Sequence, residues 1–317
     1  MGEFKFTKRV LFIGVPDMAY AGLETLLTAG VNIVGVVGPL KSHNTYSGFR
    51  DFVLSRKLNF IEYDRLDEEQ LINKLHSLNI DIATTFSFNQ KIPKIFMDQI
   101  KDGILNLHPS LLPHYRGGNP YSRVILDGQK QTGVTIHFMS EDFDKGDIVA
   151  QTICTIDDNE TMGTIFDKTN KIGCKMQLNA LIDYENNGSL PRFEQPEGEF
   201  FKAPNIKDHE RVIRYQLTAR QIDSLVRALN PYINAITLFN NQVVVVHKVS
   251  VVDLPGVDGF ENGAICRIDN DKLYVKTGKG CIIPEVMQYG GLFLGNCEDF
   301  IKIVKPKVGD KFTDAYT

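Results

Sequence analysis

The stretch RVLFIGVPDMAYAGLETLLTAGVNIVGVV, residues 9–37, is decisive for the fold because two apolar runs enclose a helical pattern. The first run extends from Arg9 to Val15, and the second, Val31 to Val37, is rich in β-branched residues. Between them, Met18 to Ala29 places apolar residues at helical spacing, and Gly30 ends that pattern. A strand, a helix and a strand in this order predict parallel strands.

The same alternation continues along the next segment of the chain. Helical patterns recur at Phe52–Arg56 and Glu68–Leu78, and buried strands are predicted at Ile80–Phe86 and Gly103–Leu107. Such alternation predicts an α/β domain with a doubly wound, Rossmann-like and mainly parallel sheet that is covered on both faces. We assign residues 1–190 to this domain.

Two further strands and a long helix complete the predicted domain. Thr132–Met139 alternates apolar and polar residues, and Ile148–Thr155 is a second such run that could pair with it. Thr161–Asp183 has the pattern of one long helix. Glycine and proline are dense between residues 187 and 206, which predicts a linker over residues 191–206.

Residues 207–317 change to short strands that follow one helix. Thr218–Leu229 carries apolar residues at helical spacing, and Pro231 ends the pattern. Five strand patterns separated by turn residues follow: Ala235–Phe239, Gln242–Val252, Gly263–Ile268, Lys272–Lys276 and Cys281–Val286. These patterns predict a smaller C-terminal β-barrel domain of the OB-like kind.

Composition and charge limit the class of protein. The 317 residues are 43% apolar and 23% charged, which is ordinary for a folded globular protein. No stretch approaches the roughly 20 apolar residues of a membrane helix, and the N-terminal apolar run is too short for a signal peptide. We therefore expect a cytoplasmic protein with no membrane partner. The net charge of −4 gives no global field that would attract nucleic acid.

The five cysteines are widely spaced and form no C-x-x-C pair. This spacing argues against a zinc knuckle and against a redox dithiol. We expect reduced, mostly buried thiols and no metal site.

Chemistry-bearing residues are densest in residues 106–147, NLHPSLLPHYRGGNPYSRVILDGQKQTGVTIHFMSEDFDKGD. Asn106 and His108 are two apart at the end of a predicted strand, so their side chains share one face. Open α/β sheets bind ligands at the carboxyl ends of their strands. The pattern alone fits a general acid–base site, but a structural histidine is the favoured interpretation at this point. A hydrolase triad of Ser110, His108 and Asp144 is rejected because no G-x-S-x-G elbow accompanies it.

Four blocks of this segment resemble the signature of the formyltransferases that use N10-formyltetrahydrofolate. They are NLHPSLLP at 106–113, YRG at 115–117, TGVT at 132–135 and DKGD at 144–147. Residues 10–30 resemble the first strand and helix of that family, and residues 220–288 resemble the C-terminal barrel of its methionyl-tRNA and arabinose-nucleotide members. The resemblance covers nearly the whole chain.

The resemblance implies a catalytic trio of Asn106, His108 and Asp144. In the implied reaction a primary amine attacks the formyl carbon, and negative charge develops on the formyl oxygen. Asn106 would donate a hydrogen bond to that oxygen. His108 would stabilise the same charge and pass a proton towards the departing nitrogen N10, while Asp144 would favour the charged form of the imidazole.

The formyl donor, N10-formyltetrahydrofolate, is expected beside the trio. The family holds its pterin ring through backbone hydrogen bonds from two loops, which correspond here to Gln90, Lys91 and Ile92 and to Ser140, Glu141, Asp142 and Phe143. Leu111, Leu112 and Pro113 would form an apolar wall. His137 could line the cleft, but support of its neighbours is the favoured interpretation for a histidine on a strand.

The predicted acceptor follows from the scarcity of basic residues in two segments of the chain. Residues 38–48, where tRNA enzymes of the family carry a basic insertion, hold one lysine and no arginine. Residues 207–317 contain 14 Lys and Arg against 13 Asp and Glu. Because neutralising phosphates requires cations, we predict the amine of a nucleotide-linked amino sugar, or a similar small amine. Its candidate contacts are Arg116, Gly118, Asn119 and Tyr121.

Two kinds of alternative stay open. The first is a methionyl-tRNA formyltransferase, because the barrel also occurs in that enzyme. The second is a hydrolase that releases formate from the same donor, or a non-catalytic folate-binding relative. Two departures from the family bear on the choice: Gly118 stands where the arabinose-nucleotide enzyme has a cation, and the chain has no tryptophan.

Overall fold

The computed structural model describes residues 5–15, 18–39, 44–86, 88, 90–291 and 293–315. Contacts between residues divide the chain into two compact units. The first unit contains the residues up to Pro120, Thr132–Thr155 and Asp167–Ala203. The second contains Tyr121–Gln131, Ile156–Phe166 and the residues from Pro204 onward. The last boundary therefore falls inside the segment predicted as a linker.

The first unit is built on a sheet that has seven strands in the described part of the chain. They are β1 (Val10–Gly14), β2 (Ile33–Pro39), β3 (Phe60–Tyr63), β4 (Ile82–Phe86), β5 (Ile104–His108), β6 (Gln131–Phe138) and β7 (Ile148–Thr155). Their spatial order is β3-β2-β1-β4-β5-β6-β7. Strands β1 to β5 pair in parallel and β6 is antiparallel to β5. The order reverses between β1 and β4, as the predicted doubly wound fold requires.

Six helices are interspersed with these strands within the described ranges. They are α1 (Met18–Thr28), α2 (Asn44–Ser55), α3 (Glu69–Ser77), α4 (Lys94–Met97), α5 (Pro120–Leu126) and α6 (Met162–Asn187). Helix α2 begins well before the predicted Phe52. Strand β3 was not predicted, because its four residues are too few to show a period.

Strand register brings the chemistry-bearing residues together. Thr85 on β4 is the partner of Asn106 on β5, and Asn106 is in turn the partner of His137 on β6. Residues 132–138 are all buried, so β6 is covered on both faces and not only on the face predicted to meet the core. Polar side chains from three neighbouring strands therefore meet in a buried setting.

The second unit is a curled antiparallel sheet, a half-barrel, that follows a short helix and α7. Its elements are a 3-10 helix (Asp208–Arg211), α7 (Ala219–Leu229), β8 (Ala235–Phe239), β9 (Gln242–Val252), β10 (Ile265–Asp269), β11 (Lys272–Lys276), β12 (Cys281–Tyr289), β13 (Phe293–Asn296), α8 (Cys297–Val304) and β14 (Phe312–Thr313). The Thr218 side chain accepts a hydrogen bond from the backbone N–H of Gln221 and so caps α7. The last three elements were not predicted.

The cysteines are buried and form no disulfide. Among the described residues no helix is both long and apolar enough to cross a bilayer. Within the same ranges no three His, Cys, Asp or Glu side chains form a group that could hold a metal ion.

Candidate active site

His108 is the last residue of β5, and Pro109 after it cannot donate a ladder hydrogen bond. The imidazole is buried, with 4% of the residue exposed. Its Nε2 lies 2.8 Å from the backbone carbonyl oxygen of Tyr115, and its Nδ1 lies 3.5 Å from Oδ1 of Asp144. An acceptor oxygen therefore faces each ring nitrogen, so a proton on either one has a partner.

Asp144 is fixed by its backbone and by a glycine. Its φ of 55° lies in the left-handed region, which aspartate visits more readily than most residues. Its Oδ2 accepts the backbone N–H of Gly117 at 2.9 Å. Gly117 has a φ of 122°, and a Cβ there would lie 2.6 Å from the carbonyl oxygen of Ala203, so a side chain cannot be accommodated. These constraints direct Oδ1 towards His108.

Gln195 joins the Asp144 loop to Arg116 and is itself buried. Its Nε2 donates to the carbonyl oxygens of Asp144 and Gly146, both at 2.8 Å. Its Oε1 accepts hydrogen bonds from Arg116, at 2.6 Å from Nη2 and 3.2 Å from Nε. One amide thus holds the loop that carries the Asp144 carboxylate.

Asn106 lies between Thr85 and His137. Its Oδ1 accepts the Thr85 hydroxyl at 2.5 Å, and its Nδ2 lies 3.0 Å from Nε2 of His137. Because Nδ1 of His137 donates to the carbonyl oxygen of Phe138 at 2.8 Å, Nε2 of the neutral ring is an acceptor. This fixes Nδ2 as the donor. Its second N–H has no partner among the described residues.

His137 is a second imidazole beside the same carboxylate, with Nε2 3.7 Å from Oδ1 of Asp144. Burial and the nearby charge of His108 lower the pKa of His137 to about 4, against the opposite effect of Asp144. At neutral pH this ring is therefore an uncharged acceptor that orients Asn106. That role agrees with the favoured interpretation of a supporting strand histidine.

The arrangement is suited to two chemical tasks. A fixed amide N–H of Asn106 can stabilise negative charge that develops on an oxygen. His108, between a carbonyl and a carboxylate, can hold or transfer a proton. Burial of the surrounding groups strengthens both interactions because it lowers the local dielectric constant. Acyl or formyl transfer to a nucleophile needs both tasks at one place.

The predicted donor contacts fall into two groups. The exposed ones are Gln90, Lys91, Ser140, Glu141, Asp142 and Phe143. Ile92 and Leu112 are buried, whereas Leu111 and Pro113 are half-buried. Ile92 packs in the hydrophobic core of the first unit, so only its backbone could meet a ligand.

The predicted acceptor contacts are not equivalent. Arg116 is engaged by Gln195, Gly118 is exposed and Asn119 is buried. Tyr121 belongs to the second unit, where its ring packs edge-on against another aromatic ring. Residues 40–43 of the weakly basic segment 38–48 lie outside the described residues.

Thr85 and Gln195 were not predicted as site residues. The signal for Thr85 was a pair of threonines, Thr84 and Thr85, in an otherwise apolar strand next to the strand of Asn106. Gln195 gave no such signal, because it lies 51 residues from Asp144 and within a segment predicted as a linker.

Comparison with known proteins identifies the family. The family description "Formyl transferase" matches residues 28–181, and "Formyl transferase, C-terminal domain" matches residues 205–303. A methionyl-tRNA formyltransferase of Bacillus mycoides is 31% identical over 314 residues, which cover 96% of this chain and 98% of that protein. The chain belongs to the formyltransferase family. A methionyl-tRNA formyltransferase of Clostridioides difficile is likewise 31% identical, over 88% of this chain and 92% of its own.

Solved structures share the fold of this formyltransferase at low sequence identity. An N-formyltransferase of Helicobacter canadensis, in complex with folinic acid and dTDP-3-aminofucose, has a TM-score of 0.64 at 18% identity. The match covers 89% of this chain and 100% of that one. HypX of Aquifex aeolicus with tetrahydrofolic acid has a TM-score of 0.63 at 16% identity, over 96% of this chain and 48% of that one. The resemblance inferred from the motifs is confirmed, and N10-formyltetrahydrofolate is the formyl donor of the family.

Proposed function

We propose that this formyltransferase transfers the formyl group of N10-formyltetrahydrofolate to a primary amine, and that the amine is the α-amino group of methionyl-tRNA. The observation that carries formyl transfer is the geometry of Asn106, His108 and Asp144. The near-full-length likeness to methionyl-tRNA formyltransferases favours this acceptor over the amino sugar expected from the sequence.

The donor supplies an activated formyl carbon, and the residues of this chain act on the charge and the protons around it. As the amine nitrogen forms a bond to that carbon, the second N–H of Asn106 donates to the formyl oxygen. This interaction strengthens as negative charge develops. The bond to N10 then breaks, and His108 carries the proton lost by the amine towards N10. Asp144 holds the imidazole in position for that transfer.

The site contains groups that fit the donor. The unpartnered N–H of Asn106 is a hydrogen-bond donor of the kind a formyl oxygen requires. Residues 140–143 are exposed directly before Asp144, so their backbone can meet a planar ring that has donors and acceptors on its edge. Gln90 and Lys91 are likewise exposed, after β4.

A nucleotide-linked amino sugar is the second candidate acceptor. It is favoured by charge, because the residues from 207 onward hold nearly equal numbers of basic and acidic side chains. Binding of tRNA phosphates calls for several cations on one face, whereas a small-molecule site needs only a few placed polar groups.

One assay separates these candidates. The protein is incubated with N10-formyltetrahydrofolate and either methionine-charged initiator tRNA, an amino sugar linked to UDP or dTDP, or no acceptor, and products are identified by mass spectrometry. We expect formylmethionyl-tRNA. Formylation of the sugar alone would establish the second candidate, and release of formate without an acceptor would establish a hydrolase. An absence of product in every arm would contradict formyl transfer.

A further inference from the structure

We propose that the ring of Phe201 is a stacking platform for the nucleobase of the acceptor, an inference that rests on the proposed function. Phe201 is the outer ring of an aromatic stack formed by His114, Tyr115 and Phe201. All three residues belong to the first unit, and the carbonyl oxygen of Tyr115 contacts His108. No part of the catalytic chemistry described above uses these rings.

The stack has a buried layer and an open layer. The ring of Tyr115, 5% exposed, lies parallel to that of Phe201, with the centroids 5.5 Å apart and the planes 7° apart. His114 packs at 5.6 Å on the same ring. Phe201 nevertheless remains 52% exposed. About half of Phe201 is thus open to solvent while its ring is held by two neighbouring rings, which makes it available to another planar group.

Two backbone contacts tie this surface to the catalytic histidine. The carbonyl oxygen of Tyr115 lies 2.8 Å from Nε2 of His108, and the N–H of Tyr115 donates to the carbonyl oxygen of Phe201 at 2.6 Å. Phe201 is thus two hydrogen bonds away from the imidazole. The backbone of Phe201 is therefore held by the same residue, Tyr115, whose carbonyl oxygen faces Nε2 of His108.

Backbone pairing connects the platform to the predicted acceptor contacts. The loop predicted to hold the formyl donor, residues 140–143, lies directly before Asp144 in the chain. The segment of Phe201 instead pairs with the loop of predicted acceptor contacts, since Ala203 exchanges hydrogen bonds with Arg116 and Asn119.

A nucleobase is the ligand that fits this surface. Bases of every kind stack on aromatic side chains, so an open phenylalanine ring accepts them without demanding a specific sequence. The guanidinium of Arg116 lies 6.0 Å from the ring of Phe200, which adds a cation close to the stack. Under the proposed function this base is the 3′-terminal adenosine of the tRNA, and the pyrimidine of a sugar nucleotide is the competing outcome of the test.

The binding test uses fluorescence. The chain has no tryptophan, so Phe201→Trp creates a single tryptophan on the platform, which is excited at wavelengths where tyrosine does not absorb. We expect saturable quenching by AMP, if the source is tRNA, or by UMP or dTMP, if it is a sugar nucleotide. Ribose 5-phosphate, which has no base, should not quench. The matched control is Phe193→Trp, because Phe193 is also exposed in the first unit and has no ring partner among the described residues. Absence of quenching by all three nucleotides, or equal quenching of the control, would overturn the proposal.

The kinetic test uses the Phe201→Ala and Phe193→Ala proteins. With the acceptor that the wild type formylates, Phe201→Ala should raise KM about tenfold while kcat and the KM for the formyl donor stay unchanged. An increased KM for the donor would place the pterin on Phe201 instead and contradict the proposal. If the wild type formylates no acceptor, the proposed function fails, and the quenching experiment still tests the platform. If transfer occurs but Phe201→Ala leaves the acceptor KM unchanged, the function stands and the platform does not.

Discussion

At the carboxyl end of β5 buried polar side chains are joined by hydrogen bonds, whereas the core of the second unit contains an aromatic cluster whose rings pack on one another. In the first region Thr85, Asn106 and His137 form a continuous chain across three strands. In the second, the ring of Phe239 lies 4.7 Å from that of Phe312 and 5.4 Å from that of Phe300.

The two regions differ in the side-chain substitutions that they can tolerate. A hydrogen bond fixes both direction and protonation, so each member of the polar chain has one useful orientation. Ring packing fixes volume and shape more than direction, and it contributes burial of apolar surface. We therefore expect substitutions in the polar region to act on the reaction and substitutions in the aromatic core to act on unfolding.

The largest expected effect is a loss of activity without a loss of folding. His108→Ala removes the proton carrier and should lower the rate of formyl transfer about 10³-fold. Far-ultraviolet circular dichroism should remain that of the wild type. His76→Ala, on the exposed face of α3, serves as the control and should keep full activity. Turnover of the His108→Ala protein near the wild-type rate would show that another group moves the proton.

A substitution in the aromatic cluster of the second unit should instead act on stability. Phe300 on α8 is fully buried, and its ring packs on those of Phe239 and Tyr289. Phe300→Ala should lower the free energy of unfolding of the second unit by about 4 kcal/mol, as measured in urea. Ile303→Ala, at an exposed position of the same helix, should cost less than about 1 kcal/mol. Equal losses in the two variants would contradict the core assignment.

The smallest expected effect is a loss of folding stability at acidic pH. The pKa of His137 is about 4 in the folded protein, below the ordinary value of 6.5. Below pH 6.5 the unfolded chain therefore binds a proton that the folded chain refuses, so this residue makes stability fall as pH falls from about 6.5 to about 4. The loss should reach about 3 kcal/mol and be absent above pH 6.5.

His137→Gln isolates this contribution, because glutamine can accept from Asn106 but does not titrate. We expect the variant to lose less stability in acid than the wild type does, measured by urea unfolding of both proteins across the same pH range. Parallel pH profiles for the two proteins would rule out His137 as the source.

The sequence picks out the residues of the proposed reaction centre more readily than the residues that hold them in place. Asn106 and His108 stand out because they lie two apart at a strand end, and Asp144 stands out through the family signature. Gln195 could not be found this way, because its two carbonyl partners depend on how a proline- and glycine-rich segment folds back onto the first unit. The fold was similarly predictable where an element is long enough to repeat its pattern several times, as in α6. It was missed at β3, whose four residues are too few to show a period.

Gln195 has a practical consequence for the modularity of this formyltransferase. The N-terminal family description ends at residue 181 and the C-terminal one begins at 205, so residues 182–204 belong to neither match. The amide that secures the Asp144 loop and the ring of Phe201 both lie in that interval. A protein cut at residue 181, or a chimera joined there, would keep Asn106, His108 and Asp144 and lose the amide that holds the Asp144 loop.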